Sequence, residues 1–341
     1  MTIGVGIPVY LDVQMTLDCV DSVQKHSGGL ISEIVVSDDG SPTRDHIPVL
    51  GNALVQRGVP FIIEQPNRGI PYQWNRLTQH LQSEIVVLLN NDIVITSDDT
   101  FKCLHYFFER NEKIGGVGWP LVQVNPRTGE KSPDPVDDYN VMQSPGRVGA
   151  AVGCCFGFRK SVWHEVGGLW EQLISFHEET DLGFNMAQHG YNSYMLPSPS
   201  VEHHGSQTFS KNPELAMCRF DDNLVDRDEY IRVLSDPKWK NKLPHLQTYA
   251  QEGKLVWYDH IKCESMTWRM DWSRFLFAKK YGVLDHYDEP PRAVHSMVVD
   301  PLPEADRLYW LNKEGRECVR VTNGTEVYAE YVEDARAKGW I

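Results

Sequence analysis

The feature that most constrains this chain is a rhythm in its first hundred residues. Short, wholly apolar runs alternate with helix-patterned stretches, and each run stops at a polar turn. Residues 3–9 form one such run, and Val13, Leu17 and Val20 follow at helical spacing. Residues 31–37 form a second run, stopped by Asp38-Asp39-Gly40-Ser41-Pro42, a dense turn signal. A helical pattern continues to about residue 57, and residues 59–64 make a third run. Ile70, Trp74, Leu77 and Leu81 mark one helix face, and Glu84-Ile85-Val86-Val87-Leu88-Leu89 is a fourth run, broken by Asn90-Asn91-Asp92. Strands apolar on both faces are covered on both faces, so the pattern predicts βαβ units and an open, mostly parallel α/β sheet flanked by helices.

Ligands of such sheets bind beyond the carboxyl ends of the strands. Those ends carry Tyr10 and Asp12, Asp38-Asp39, Asn67-Arg68-Gly69 and Asn90-Asn91-Asp92. Each is a commonplace loop by itself. Four of them meeting at one sheet edge predict a binding site.

Beyond residue 114 the rhythm loosens. Prolines and polar residues over 115–148 predict long surface loops of the kind that wall a substrate site. Residues 148–158 read as a small-residue strand, 160–166 as a short helix closed by Gly167-Gly168, 178–189 as a helix closed by Gly190, and 191–196 as a strand. After about residue 209 come a charged helical pattern (221–234), a basic run (238–242), an amphipathic basic stretch (268–281) and short strand-like runs near 318–321 and 326–331.

Composition narrows the function. The chain has 341 residues, 41% of them hydrophobic, so it can bury a large core. Acidic residues outnumber basic ones 47 to 33, and a net charge of -14 disfavours sequence-blind binding to nucleic acid. No run of about 18 apolar residues occurs, so no membrane span is expected. The opening MTIGVGIPVYLD lacks the basic flank of a signal peptide. Seven scattered cysteines suit neither a disulfide framework nor a thiolate zinc site, and a cytoplasmic location is expected.

An ordered set of motifs resembles the family 2 glycosyltransferases of GT-A fold, nearest their rhamnosyltransferase-like branch. The set is Ile7-Pro8-Val9-Tyr10, residues 34–41, Asn67-Arg68-Gly69 with Asn75, Leu88-Leu89-Asn90-Asn91-Asp92, residues 153–159, Gly167-Gly168-Leu169, Glu178-Glu179-Thr180-Asp181-Leu182, Gly190-Tyr191 and His203-His204-Gly205. The resemblance implies a GT-A domain over 1–210, divided into a nucleotide-binding part (1–114) and an acceptor-binding part (115–210). It leaves 211–341 as a C-terminal region of unknown role.

It also implies roles. A UDP- or dTDP-sugar donor brings a base, a ribose and a diphosphate. Pro8, Val9 and Tyr10 would flank the base, and a carboxylate such as Asp38 can accept from its ring N–H. Asp39 would meet the ribose, while Asn67, Gly69, Asn75, Asn90 and Asn91 would complete the nucleotide-sugar site. Both aspartates equally suit capping of their own turn. Asn90-Asn91-Asp92 stands where the family has its DxD motif, with Asn replacing the first acid, so Asp92 is the expected ligand of Mn2+ or Mg2+, with His203 assisting. Glu179 stands at the base position, usually Asp, with Glu178 able to take the role and Asp181 a further acid of the catalytic cluster. Helix capping accounts for part of the same cluster. Trp170 and Glu171 would touch the acceptor; Trp170 also suits a buried anchor.

The expected function is therefore an inverting, metal-dependent transfer of a sugar to a hydroxyl acceptor. A glycan is the first expectation for that acceptor and a nucleic-acid base a minority one. Two rivals remain: a sugar nucleotidyltransferase, whose basic Gly-rich loop Gly4-Val5-Gly6-Ile7-Pro8 does not reproduce, and a non-catalytic sugar-binding protein on the same fold.

Overall fold

A computed structural model describes residues 1–41, 43–64, 67–119, 121–125, 128–133, 146–148, 153–173, 177–196, 201–205, 276, 280 and 298–301. The first four strands are β1 (Ile3–Val9), β2 (Ile31–Asp39), β3 (Phe61–Glu64) and β4 (Ile85–Leu89). They pair in parallel, with β1 between β2 and β4 and β3 outside β2. Helices α1 (Val13–Lys25), α2 (His46–Gln56) and α3 (Ile70–His80) make the crossovers.

The alternation along β4 explains why the run is apolar throughout. Ile85, Val87 and Leu89 enter one core cluster with residues of α1 and of α4 (Asp99–Arg110), whereas Val86 and Leu88 enter another with Trp74 and Leu77 of α3. All five are fully buried, and each contributes about 1.5–3 kcal/mol of transfer free energy. Gly6 of β1 is the concession to this packing. A Cβ there would lie 3.0 Å from Leu88 and 3.2 Å from Leu77, so the bare backbone lets α3 lie close.

The second half departs from the parallel pattern. β10 (Cys155–Arg159) runs antiparallel between β4 and β6 (Ile114–Gly118), and β11 (Asn192–Met195) runs parallel to β6. β9 (Gly146–Val148) and β13 (Val298–Pro301) extend the edge antiparallel, completing a nine-stranded sheet. The edge strand thus comes from the C-terminal region.

Residues 115–148 correct the expectation of long loops. β6 is fully buried near the centre of the sheet, and β7 (Leu121–Val124) and β8 (Lys131–Pro133) follow it. Ile-Gly-Gly-Val-Gly has too few side chains to read as an apolar strand. The glycines are there for close packing: a Cβ on Gly115 would stand 2.9 Å from Tyr191 and 3.0 Å from Met186 of α6 (Glu178–Gln188). The expected strand over 148–158 is likewise two strands, β9 and β10, with 149–152 outside the described residues. The helix expected at 160–166 is α5 (Lys160–Val166), closed by Gly167 in the left-handed region.

A second sheet, unanticipated, has four strands in the order β5 (Ile93–Val94), β12 (Val201–His203), β7 and β8. Among the described residues no helix is long and apolar enough to cross a membrane. The readings of 221–234, 238–242, 318–321 and 326–331 lie outside the described residues. So does most of the 268–281 stretch and of the 211–341 region.

Candidate active site

The site begins where β4 ends. Ile93 N–H donates to the Asn90 carbonyl at 3.1 Å, so Asn90-Asn91-Asp92 makes a tight turn into β5. Three contacts hold the turn. Asn90 N–H donates to the Cys154 carbonyl at 2.9 Å, Asn91 Nδ2 donates to Thr16 Oγ1 at 3.1 Å, and Cys19 Sγ donates to the Asn90 carbonyl at 3.7 Å. Burial, and then the charges of Asp92 and Asp18, push the Cys19 thiol up, which keeps it an S–H donor.

The second sheet brings the late histidine to this turn. β12 runs antiparallel to β5 with His203 opposite Ile93, and His204 N–H donates to the Asp92 carbonyl at 2.8 Å. His203 Nε2 then lies 3.4 Å from Asp92 Oδ2. Gln123 of β7, paired with His203 across the ladder, sits 2.8 Å from His203 Nδ1 through its Nε2. With the amide N–H donating, His203 Nδ1 accepts and the ring proton sits on Nε2; an Nε2 that ligates a cation instead leaves the proton on Nδ1, and the Gln123 amide then turns its Oε1 to the ring to accept it. Asp92 Oδ1 is buried with no hydrogen-bond partner.

A carboxylate oxygen without a partner beside an imidazole is a fitting donor set for a hard or borderline divalent cation. Among the described residues no group of three or more His, Cys, Asp and Glu side chains is arranged to hold a metal.

The acid cluster stands on the other side of the same turn. Gly153, one residue before the Cys154 that binds Asn90, faces Glu179: a Cβ on Gly153 would lie 3.3 Å from the Glu179 carboxyl carbon. Glu179 thus packs on Gly153, and the next residue, Cys154, is hydrogen-bonded to Asn90, two residues before Asp92. Glu178, Glu179 and Asp181 all fall in the first turn of α6, where the helix dipole favours negative charge. His177 enters that helix with φ of 63°, a left-handed backbone that a non-glycine residue adopts under strain. Burial, and next the neighbouring Glu179 charge, push the Glu178 carboxyl well up, and burial pushes Glu179 up as well. Glu178 Oε2 is buried without a partner, whereas Glu179 is half-buried.

The residues expected on the nucleotide side also lie at the parallel strand ends. Asp38 has no exposed surface. Its Oδ1 accepts from Ser41 N–H at 3.0 Å, and its Oδ2 accepts from Ser41 Oγ at 2.6 Å and meets His46 Nε2 at 3.0 Å. As it stands Asp38 holds the Asp-Gly-Ser turn, and an entering base N–H has to displace one of these partners. Ser41 Oγ also accepts from Leu11 N–H at 3.1 Å, tying the end of β1 to that turn, and Leu11 has φ of 69°. The Asp39 carbonyl accepts from the Asn67 amide, and Asn67 Oδ1 accepts from Gly69 N–H at 3.1 Å. The Arg68 guanidinium stacks 4.1 Å over Tyr72. Tyr10 lies half-buried beside these residues, at the end of β1 after Pro8 and Val9.

Asn75 points the other way. Its Nδ2 donates to the Leu169 carbonyl at 2.9 Å and to Glu171 Oε1 at 3.1 Å, and its Oδ1 accepts from Leu169 N–H at 3.0 Å. It clamps α3 to the segment carrying Trp170 and Glu171. Gln123 and His46 carried no reading of their own in the sequence, and Gly153 entered only as the start of the 153–159 motif. Gln123 belongs to no motif, and only its ladder position beside His203 shows its part.

Residues 4–167, just under half of the chain, match the family model described as glycosyl transferase family 2. A curated relative, the N-acetylglucosaminyl-diphospho-decaprenol L-rhamnosyltransferase of Mycobacterium tuberculosis, is 33% identical over 66 residues, covering 19% of this chain and 22% of that protein. The chain thus matches about a fifth of its curated relative's length. Among solved structures, GalNAc-T7 with UDP, GalNAc and Mn2+ superposes with a TM-score of 0.52 at 16% identity, over 85% of this chain and 59% of that one. The mannosyltransferase PcManGT from Pyrobaculum calidifontis, in complex with GDP-Man and Mn2+, gives 0.48 at 15% identity over 92% and 88%.

Proposed function

From a GT-A fold whose residues 4–167 form a glycosyl transferase family 2 domain, we infer that the chain transfers a sugar from a nucleotide-sugar donor to a hydroxyl acceptor with inversion at the anomeric carbon. The donor is a UDP- or dTDP-sugar. A compared protein crystallised with UDP supports a nucleotide sugar as the class. The observation that carries the reading is the meeting of Asp92 and His203 at the carboxyl edge of the parallel strands.

Asp92 Oδ1, its neighbour Oδ2 and His203 Nε2 are the atoms to hold Mn2+ or Mg2+, with the Gln123 amide, its Oε1 turned to the ring, accepting from His203 Nδ1–H. When bound, the cation supplies positive charge against the departing diphosphate. Asn90 and Asn91 shape the turn that presents Asp92. Pro8, Val9, Tyr10, Asp38, Asp39, Asn67 and Gly69 surround the nucleoside, with the Asp38–Ser41–His46 contacts setting its floor.

The incoming hydroxyl approaches from the acid cluster. Glu179 takes its proton, because Glu179 is the half-buried acid packed on the Gly153–Cys154 step that leads to Asp92. Glu178, deeply buried and without a partner at Oε2, stays protonated beside it. Burial pushes the Glu179 carboxyl up and so makes its carboxylate a stronger base for that proton. Trp170, Glu171 and Asp181 form the acceptor wall, with Asn75 holding it to α3. A glycan is the proposed acceptor.

Calorimetry of UDP and dTDP with Mn2+ tests this reading. Binding is expected for the wild type and is expected to collapse in Asp92→Ala. Equal affinity in the two proteins refutes the assignment. Release of pyrophosphate from a nucleoside triphosphate would favour a nucleotidyltransferase instead.

A further inference from the structure

The acceptor wall contains a residue from far outside the matched domain. Lys280 Nζ donates to Asp181 Oδ1 at 2.6 Å and stands 4.7 Å from the Trp170 ring centroid. Asp181 is 1% exposed and the Lys280 side chain 34% exposed, so the cation reaches inward from the surface to a buried carboxylate. Leu276, four residues earlier and also helical, is buried; that spacing shares one helix face, apolar at the base and cationic at the tip.

Asp181 lies on the first turn of α6, three residues after Glu178 and two after Glu179. Trp170 precedes the Glu171 that Asn75 holds. One ammonium therefore touches both the acid helix and the indole beside it. An isolated carboxylate so deeply buried is strongly disfavoured, and a hydrogen-bonded cation compensates it. A cation over a Trp face is attracted to the ring as well.

We propose that Lys280 is a positioning residue of the acceptor side: it holds Asp181 and Trp170 in one arrangement, and through α6 it sets the attitude of the Glu178–Glu179 pair. The proposal rests on the glycosyltransferase reading for its catalytic consequence, but not for the contact itself. The 211–341 region thereby has a task in the site, through a residue that no family motif contains.

The test uses the full chain with Lys280→Gln, Lys280→Arg, Trp170→Phe and Asp181→Asn. The first readout needs no activity. Trp170→Phe defines the Trp170 component of the tryptophan emission. Lys280→Gln is expected to change that component, and Lys280→Arg to preserve it. Superimposable spectra of Lys280→Gln and the wild type would overturn the contact.

The second readout is nucleoside diphosphate release in Mn2+ from a panel of UDP-glucose, UDP-galactose, UDP-N-acetylglucosamine and dTDP-rhamnose, with water as acceptor, measured on a donor that the wild type turns over. Lys280→Gln is expected to lose about tenfold or more, as small misplacements of catalytic groups do, with recovery in Lys280→Arg and wild-type affinity for UDP. Unchanged release in Lys280→Gln would overturn the positioning role. A wild type that binds neither UDP nor dTDP refutes the glycosyltransferase reading, while the emission spectra still decide whether Lys280 holds Trp170.

Discussion

His203 Nε2 stands 3.4 Å from Asp92 Oδ2 because β12 returns antiparallel to the two-residue strand that follows Asp92. The contact is made by a small second sheet and not by the main one. The two side chains therefore act as one unit. Asp92→Asn and His203→Ala should each weaken Mn2+-dependent UDP binding by about tenfold or more, or about 1.4 kcal/mol, and EDTA should bring the wild type down to the same level. Calorimetry with and without chelator checks this. Additive losses in the double variant would count against a shared cation.

Gln123 touches His203 Nδ1 and no proposed substrate group. Gln123→Leu should lower apparent Mn2+ affinity by about 10- to 100-fold while leaving the urea midpoint close to wild type. A metal titration of UDP binding separates this from misfolding. An unaltered titration would remove Gln123 from the site.

The paired acids give a pH signature. Burial pushes both carboxyls up, and the Glu179 charge pushes Glu178 further. A carboxyl raised in the fold keeps a proton that the unfolded chain has already lost. Stability therefore falls as pH rises from the ordinary carboxylate range through the raised values, and is unaffected below that range. Glu178→Gln, which mimics the protonated acid, should raise the urea midpoint at pH 8 and leave it unchanged near pH 3.5. The acid limb of donor hydrolysis should lie above the ordinary carboxylate range. Glu179→Gln should lower the rate about 10²- to 10⁴-fold, whereas Glu178→Gln should retain it. The reverse pattern would make Glu178 the base.

Asn75 makes three hydrogen bonds to Leu169 and Glu171 across two elements. Asn75→Ala leaves the buried Leu169 groups unpaired and should destabilise by about 2–4 kcal/mol in urea unfolding. Gly168→Ala should be comparably harmful. Its Cβ would fall 2.7 Å from both Asn75 Oδ1 and Trp163 Nε1, on a backbone with φ of 74°. Wild-type stability in either variant would deny the clamp.

Much of this was legible in the residues themselves. The four parallel strands announce themselves by solid apolar runs, because a strand covered on both faces has no solvent side to mark. Asp38-Asp39-Gly40-Ser41, Asn67-Arg68-Gly69 and Asn90-Asn91-Asp92 announce the site edge, because turn residues must end such strands. β6 was hidden, because glycines that admit Met186 and Tyr191 erase the pattern that betrays a strand.

Local chemistry, then, determined the strand–helix alternation, the carboxyl-edge site and the residue types able to grip a cation or take a proton. Only the tertiary structure decided which of them meet. Strand pairing set His203 against Asp92 and Gln123 against His203, a backbone bond through Cys154 carried the turn to Glu179, and Lys280 came from far along the chain to Asp181. Residue type and spacing follow from local propensity and solvation. Contacts between distant segments depend on sheet register and on close packing, and no short stretch of sequence carries either.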